Sequence, residues 1–206
     1  MGSITELALE ESQIRSILIR ERYYRDTSQF DKMRKMYHPD GQKTKVYITW
    51  YEGDIDGSIN GTRQVVKPTV NTVHAINPTE IDIRGSKALA ESFCSMTSRF
   101  EHQGYEFDKV LQVRLISQLE KVHGEWKLMT LECIYIRDRI IPAAHLPRDA
   151  VVPSFDGVEK FRKSYRYATW LLGTIGLTVS DRLPAEDDHE SVKEVLVRNR
   201  AWLDSN

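Results

Sequence analysis

Cysteine is scarce in this chain. There are two among 206 residues, Cys94 and Cys133, so a disulfide framework is excluded. Both stand in apolar, strand-like segments, where a free thiol is an ordinary small core residue, and the expected compartment is the reducing cytoplasm. No Cys-x-x-Cys, His-Glu-x-x-His, phosphate-loop or Gly-x-Gly-x-x-Gly pattern occurs, so no zinc, nucleotide or dinucleotide motif is present, and neither a cofactor nor a metal is expected. Excess charge is missing too. With 29 basic and 30 acidic residues the net charge is -1, which gives no electrostatic basis for binding nucleic acid or an anionic membrane. No apolar run approaches the roughly 20 residues of a membrane helix. The opening MGSITELALEESQ lacks the basic start and apolar stretch of a secretory signal.

The hydrophobic pattern that is present changes period along the chain. Residues 4–25 carry Leu7, Ile14, Ile17 and Leu18 at helical spacing. Asp26-Thr-Ser-Gln breaks that helix, and a short second one spans about 30–37. His-Pro-Asp-Gly (38–41) is a strong turn, because Pro cannot continue a helix and Gly accepts positive φ. A β-rich stretch, 45–52, follows, then a loop over 54–61 and a third helix over 62–72 that tolerates Pro68. From 74 onward the chain alternates with period two: 74–83, 87–99, 105–121 and 126–139 read as antiparallel strands separated by Arg-Gly-Ser and His-Gly turns. Helix, helix, strand, helix and then a run of strands means an α+β fold. Helices pack across one face of a curved antiparallel sheet and close a cone-shaped apolar pocket.

The texture shifts after Pro142. Residues 141–154 hold three prolines and read as a loop, with helices at 161–173 and 191–203. The expected organisation is a cone domain over 1–141 and a helical extension over 142–206, which packs on the domain or on a neighbouring subunit.

Among chemistry-bearing residues, Asp26 ends the first helix, where its charge opposes the helix dipole. Taken singly it reads as a turn residue bonding backbone near Ser28. His74 opens a strand directly after a helix, and singly it reads as a half-buried His satisfied by backbone. Together they carry more. In a cone with this element order the two face each other across the pocket. A carboxylate bonded to one imidazole nitrogen fixes the tautomer and raises the basicity of the other. Such a pair can remove a proton without a cofactor. Further candidates to line the pocket are Tyr47 and Tyr51, or Trp50 if the alternation runs in the other phase. Arg114, in the apolar strand Leu-Gln-Val-Arg-Leu-Ile, needs a partner if buried and is expected to bind a substrate oxygen or to pair with Glu132. Tyr135 on the last strand could donate a hydrogen bond. His102, in a polar turn, is expected to be solvated. No paired His spacing suggests a metal site.

These landmarks have a familiar order. An Asp closes the first helix in Arg-Asp-Thr-Ser-Gln-Phe-Asp (25–31), and Pro-Asp-Gly (39–41) turns after the second helix. Val-His-Ala-Ile-Asn (73–77) follows the third. Ile-Asp-Ile-Arg-Gly-Ser-Lys-Ala-Leu-Ala-Glu (81–91) comes next, and two late strands bracket His-Gly-Glu-Trp-Lys (123–127). Over about residues 8–140 the chain resembles the SnoaL-like family of the nuclear-transport-factor-like fold, which includes scytalone dehydratase and hexachlorocyclohexane dehydrochlorinase. The resemblance implies that Asp26 and His74 are a catalytic dyad. It also implies a cofactor-independent lyase or isomerase acting by dehydration, elimination, isomerisation or cyclisation on a small apolar molecule such as a polyketide or terpenoid. Arg25 departs from the tyrosine that precedes the Asp in scytalone dehydratase, which argues against scytalone itself. The same fold also serves as a non-catalytic assembly subunit in ring-hydroxylating dioxygenases and as a protein-binding adaptor, and a homo-oligomer, dimer or trimer, is the family's usual state.

Overall fold

The tight turns read from the sequence organise the sheet. Gln103-Gly104 and His123-Gly124 hold both central residues at positive φ, +50° and +81° in the first and +50° and +84° in the second. This twist matches that of paired antiparallel strands. Gly85, at φ +60°, opens the third turn. In the computed structural model, which describes residues 4–66, 70–146, 151 and 153–205, these turns connect β3 (Asn71–Arg84), β4 (Lys87–His102), β5 (Tyr105–Val122) and β6 (Glu125–Leu128). The chain then returns along β5 as β7 (Thr130–Pro142), beside a short hairpin of β1 (Lys45–Ile48) and β2 (Tyr51–Gly53). The seven strands run in the order β2-β1-β7-β5-β4-β3, with β6 pairing β5. Only β1 and β7 are parallel among these pairings. Register shifts at Pro78/Glu80 and Gln112/Val113 mark bulges, which bend strands. The sheet is curved and open.

Helices α1 (Ile4–Asp26), α2 (Phe30–Met36) and α3 (Ile55–Gly61) pack inside the curve. Ile14, Leu18, Met33 and Ile55 meet Ala88, Ala90, Val113, Leu115, Leu119 and Trp126 in one core. Each large aliphatic side chain buried there contributes about 2 kcal/mol.

Several boundaries differ from the sequence reading. The third helix starts at Ile55 and runs into a wider turn over Thr62–Val66. Residues 67–69 lie outside the described part, and β3 is under way by Asn71. Gly57, Asn60 and Gly61 made 54–61 read as loop. The helix forms because Asp54 caps it, accepting from Gly57 N at 2.8 Å, and because Ile55 and Ile59 are buried. The expected strand over 126–139 is divided at Met129, whose N–H donates across to Gln118 O. Likewise 45–52 is two strands joined by a turn at Thr49-Trp50.

The chain beyond β7 folds back on the sheet. α4 (Arg166–Thr174) packs against β7 and β5, and α5 (His189–Asp204) lies against β4 and β5. Val192 and Val195 of α5 bury Ile116 and Ile134, on the opposite sheet face from Leu115 and Cys133. His102, expected to be solvated, is half-buried instead. Its ring stacks on Phe155, meets Trp170 edge-on and reaches Ser154 O at 2.8 Å.

Candidate functional site

α1 delivers Asp26 to the first residues of β3. The carboxylate accepts twice from His74, from the backbone N–H at 2.6 Å and from ring Nδ1 at 2.7 Å. These bonds, and not a turn to Ser28, satisfy the group at the helix end. Arg25 Nη1 stands 3.3 Å from the same carboxylate and also points at Thr72 O. Asp26 keeps 10% of its side-chain surface exposed and His74 5%. Burial alone would raise the Asp26 carboxyl, but the His74 hydrogen bonds outweigh it and hold it below the ordinary value. Burial pushes the imidazole down to about 4, Arg22 and Arg25 add to that, and the bond to Asp26 opposes it. The pair at neutral pH is thus carboxylate and neutral imidazole. With Nδ1–H committed to Asp26, Nε2 carries the lone pair.

His74 lines a cavity of about 70 Å³. Its walls are mainly apolar, with Met33, Ile48, Trp50, Met96 and Leu111 among them. α4 covers one side through Ala168, Leu171 and Leu172. Sheet register explains the polar wall. Thr72 pairs with Ser98, and Ser98 with Lys109, so these three stand abreast on one face, and His74, Met96 and Leu111 form the next row. The Thr72 and Ser98 hydroxyls are 2.8 Å apart.

Lys109 is 7% exposed. Burial lowers its ammonium to about 8, against a weaker opposing pull from Asp138. Arg22 is bound in a buried fork to Glu21, which also accepts from Tyr37. Among the described residues, no group of three or more His, Cys, Asp or Glu is placed to hold a metal ion.

The remaining candidates scatter. Trp50 lines the cavity, whereas Tyr47 and Tyr51 do not. Tyr51 packs over α3, so near Gly57 that a Cβ there would stand 2.0 Å from its hydroxyl. Tyr47 stands beside Glu132 across the β1–β7 pair. Arg114 does not meet Glu132. It bonds Glu91 at 2.6 Å and Glu186 at 2.9 Å, because its position in β5 points away from the cavity. Glu132 is held by Arg198 and Asn199 of α5. Tyr135 is buried and touches the site indirectly, through the Thr49 hydroxyl at 2.9 Å.

Lys109, Arg22, Thr72 and Ser98 were not singled out in the sequence. The signal for Lys109 was there. Phe107, Leu111, Val113 and Leu115 alternate on β5 and are buried, and Lys109 shares their phase, whereas Arg114 has the other.

Comparison with known proteins gives the same outline. A SnoaL-like domain profile matches residues 6–132, more than half of the chain. Pea pathogenicity protein 2 of the fungus Fusarium vanettenii is 26% identical over 210 residues, spanning 96% of this chain and 87% of that protein. A putative scytalone dehydratase from Novosphingobium aromaticivorans superposes with a TM-score of 0.54 at 14% identity, covering 74% of this chain and 99% of the other. Hexachlorocyclohexane dehydrochlorinase LinA-type3 from Novosphingobium barchaimii gives 0.56 at 15% identity, with 74% and 100% covered. At such identities the two structures share the fold.

Proposed function

Since the chain belongs to the SnoaL-like family, we propose that it is a cofactor-independent lyase or isomerase in which the Asp26–His74 pair takes a proton from a small, largely apolar molecule such as a polyketide or terpenoid. The observation that carries this reading is the 2.7 Å bond from His74 Nδ1 to Asp26 in the wall of an apolar cavity.

The chemistry follows from that arrangement. Nε2 accepts the proton, and the imidazolium that forms is stabilised by the adjacent carboxylate. The proton then returns to the departing group in an elimination, or to another carbon in a double-bond shift. General base catalysis of this kind is worth roughly 10²–10⁴-fold in rate. Exclusion of water by the apolar walls strengthens the carboxylate–imidazolium attraction at the moment it is needed.

The test is turnover across a panel of polyketide- and terpenoid-like compounds bearing a hydroxyl or halide leaving group or a movable double bond, followed by absorbance. Wild-type protein is expected to convert at least one, with kcat/KM flat through neutrality and falling on acidification as His74 protonates near pH 4. Asp26→Asn and His74→Ala are expected to lose roughly 10²–10⁴-fold. Folded variants that keep full turnover would sink the dyad.

A further inference from the structure

The cavity holds a cation that the dyad does not use. Lys109 lies on β5, buried, in the row that begins at Thr72. From His74 it is two strands across and one row along, a Cα separation of about 12 Å by ordinary sheet spacings. Both side chains line the one cavity. Among the described residues no carboxylate forms an ion pair with Lys109. The charged groups that face it are Asp138 of β7 and Arg25 of α1. Asp138 offsets part of the Lys109 charge without bonding to it: its Oδ2 accepts from Ala168 N of α4 at 2.7 Å. The other cavity cations are matched, Arg22 by Glu21 and Arg25 by Asp26. The Lys109 ammonium is therefore left without a hydrogen-bond acceptor among the described residues, in walls that are mainly apolar.

A buried ammonium with no acceptor of its own, in the same cavity as a neutral base, fits a substrate that turns negative as it reacts. We propose that Lys109 is a catalytic residue that binds the carbonyl oxygen of the substrate while His74 deprotonates the carbon next to that carbonyl. The substrate class is then a ketone, enone or related carbonyl compound with a leaving group or double bond one position further on. This rests on the proposed role of the Asp26–His74 pair.

The electrons balance without a co-reactant. The C–H bond breaks, and its proton goes to Nε2. The electron pair moves into a new C–C double bond while the carbonyl π pair moves to oxygen, giving an enolate held by the ammonium. When the enolate collapses, the carbonyl re-forms and the pair expels the leaving hydroxide, which takes the His74 proton and departs as water. In the isomerase variant that proton is delivered to the distal carbon instead.

Binding of an enolate mimic tests Lys109 without requiring turnover. The probes are 4-nitrophenol, whose phenolate is coloured, and nitrobenzene as its neutral counterpart. Wild-type protein at pH 7 is expected to prefer the phenolate, and to lose that preference above about pH 8 as Lys109 deprotonates. Lys109→Met is expected to weaken phenolate binding roughly 10- to 100-fold, the worth of one charge-assisted hydrogen bond, and to leave nitrobenzene binding within about twofold. Lys109→Arg is expected to keep the preference. His74→Gln is expected to keep it as well, so failure of the dyad reading and failure of this one give different results. The proposal is overturned if wild-type protein shows no preference for the phenolate, if Lys109→Met retains it, or if that variant loses both probes equally.

Discussion

The charge state of the Asp26–His74 pair can be settled from stability alone, with no substrate. His74 titrates at about 4 in the folded chain, because burial disfavours the imidazolium, against an ordinary value of 6.5. Between those pH values the unfolded chain binds the proton and the folded chain does not, so stability rises with pH across that window. Equivalently, it is lost as pH falls from 6.5 toward 4. The shift is worth about 3 kcal/mol, and for a chain of this size that is a fall in Tm of roughly 6–12 °C. Asp26 does not interfere, since its folded value lies below 3.8 and its contribution is lost only at lower pH. Asp138 does interfere. Burial raises it to about 6, so its cost is fully present above pH 6 and is relieved on acidification, opposite to the His74 trend. The measurement is therefore a difference: urea unfolding of wild-type and His74→Gln proteins at pH 7, 5.5 and 4, in which Asp138 cancels. The advantage of wild type over His74→Gln is expected to shrink by about 3 kcal/mol from pH 7 to pH 4. If the pair were a buried imidazolium–carboxylate ion pair, His74 would be raised above 6.5 and the advantage would shrink as pH rises through neutrality. That reversed sign, or a flat difference, would refute a neutral imidazole poised as a base.

Lys109 is expected to cost stability. Its folded value of about 8 against 10.5 means that the cost, about 3 kcal/mol, is fully present below pH 8 and is relieved as pH rises toward 10.5. Lys109→Met should accordingly unfold at higher urea than wild type at pH 7, and a clear loss of stability would contradict that. Arg114→Ala should leave the cavity intact, because Arg114 ties Glu91 to Glu186 on the other face. A stability loss of about 1–2 kcal/mol is expected for these half-exposed pairs, with turnover within about twofold. Cys94 and Cys133 are buried, and burial pushes both thiols up to about 12. Neither should react with a thiol reagent in the folded protein at pH 7, and both should react in urea.

What could be read from the sequence is what local chemistry dictates. His-Gly and Arg-Gly-Ser fix their turns because the backbone there needs positive φ, and the period-two runs between them could pair only as antiparallel strands. Asp26 and His74 were legible as a pair because one ends a helix and the other opens a strand. α3 was misplaced because propensity counts Gly57 and Gly61 against it, whereas the burial of Ile55 and Ile59 that holds it is a tertiary fact. Arg114 drew notice as a charge in an apolar strand, yet its phase on β5 points it at Glu91 and Glu186. Phase could have been read along 107–115. What lay across the sheet could not, because the partner Glu186 is 72 residues away in the chain.

The cavity draws on two parts of the chain, and the division bears on selectivity. Asp26, Thr72, His74, Ser98 and Lys109 all fall within residues 6–132, the span that matches the SnoaL-like domain. The cover does not: Ala168, Leu171 and Leu172 come from α4, beyond that span. α4 is fixed to the sheet at two points that adjoin the reactive wall. Asp138 accepts from Ala168 N near the start of the helix, where a carboxylate also favours the helix dipole. Tyr165, just before α4, packs its ring 5.1 Å from that of Tyr135, whose hydroxyl meets Thr49 of the cavity lining. The proton transfer proposed above involves only the first set of residues. Which molecule fits beneath α4 depends on the second, so the proposed chemistry can stay fixed while the extension sets the shape of the substrate.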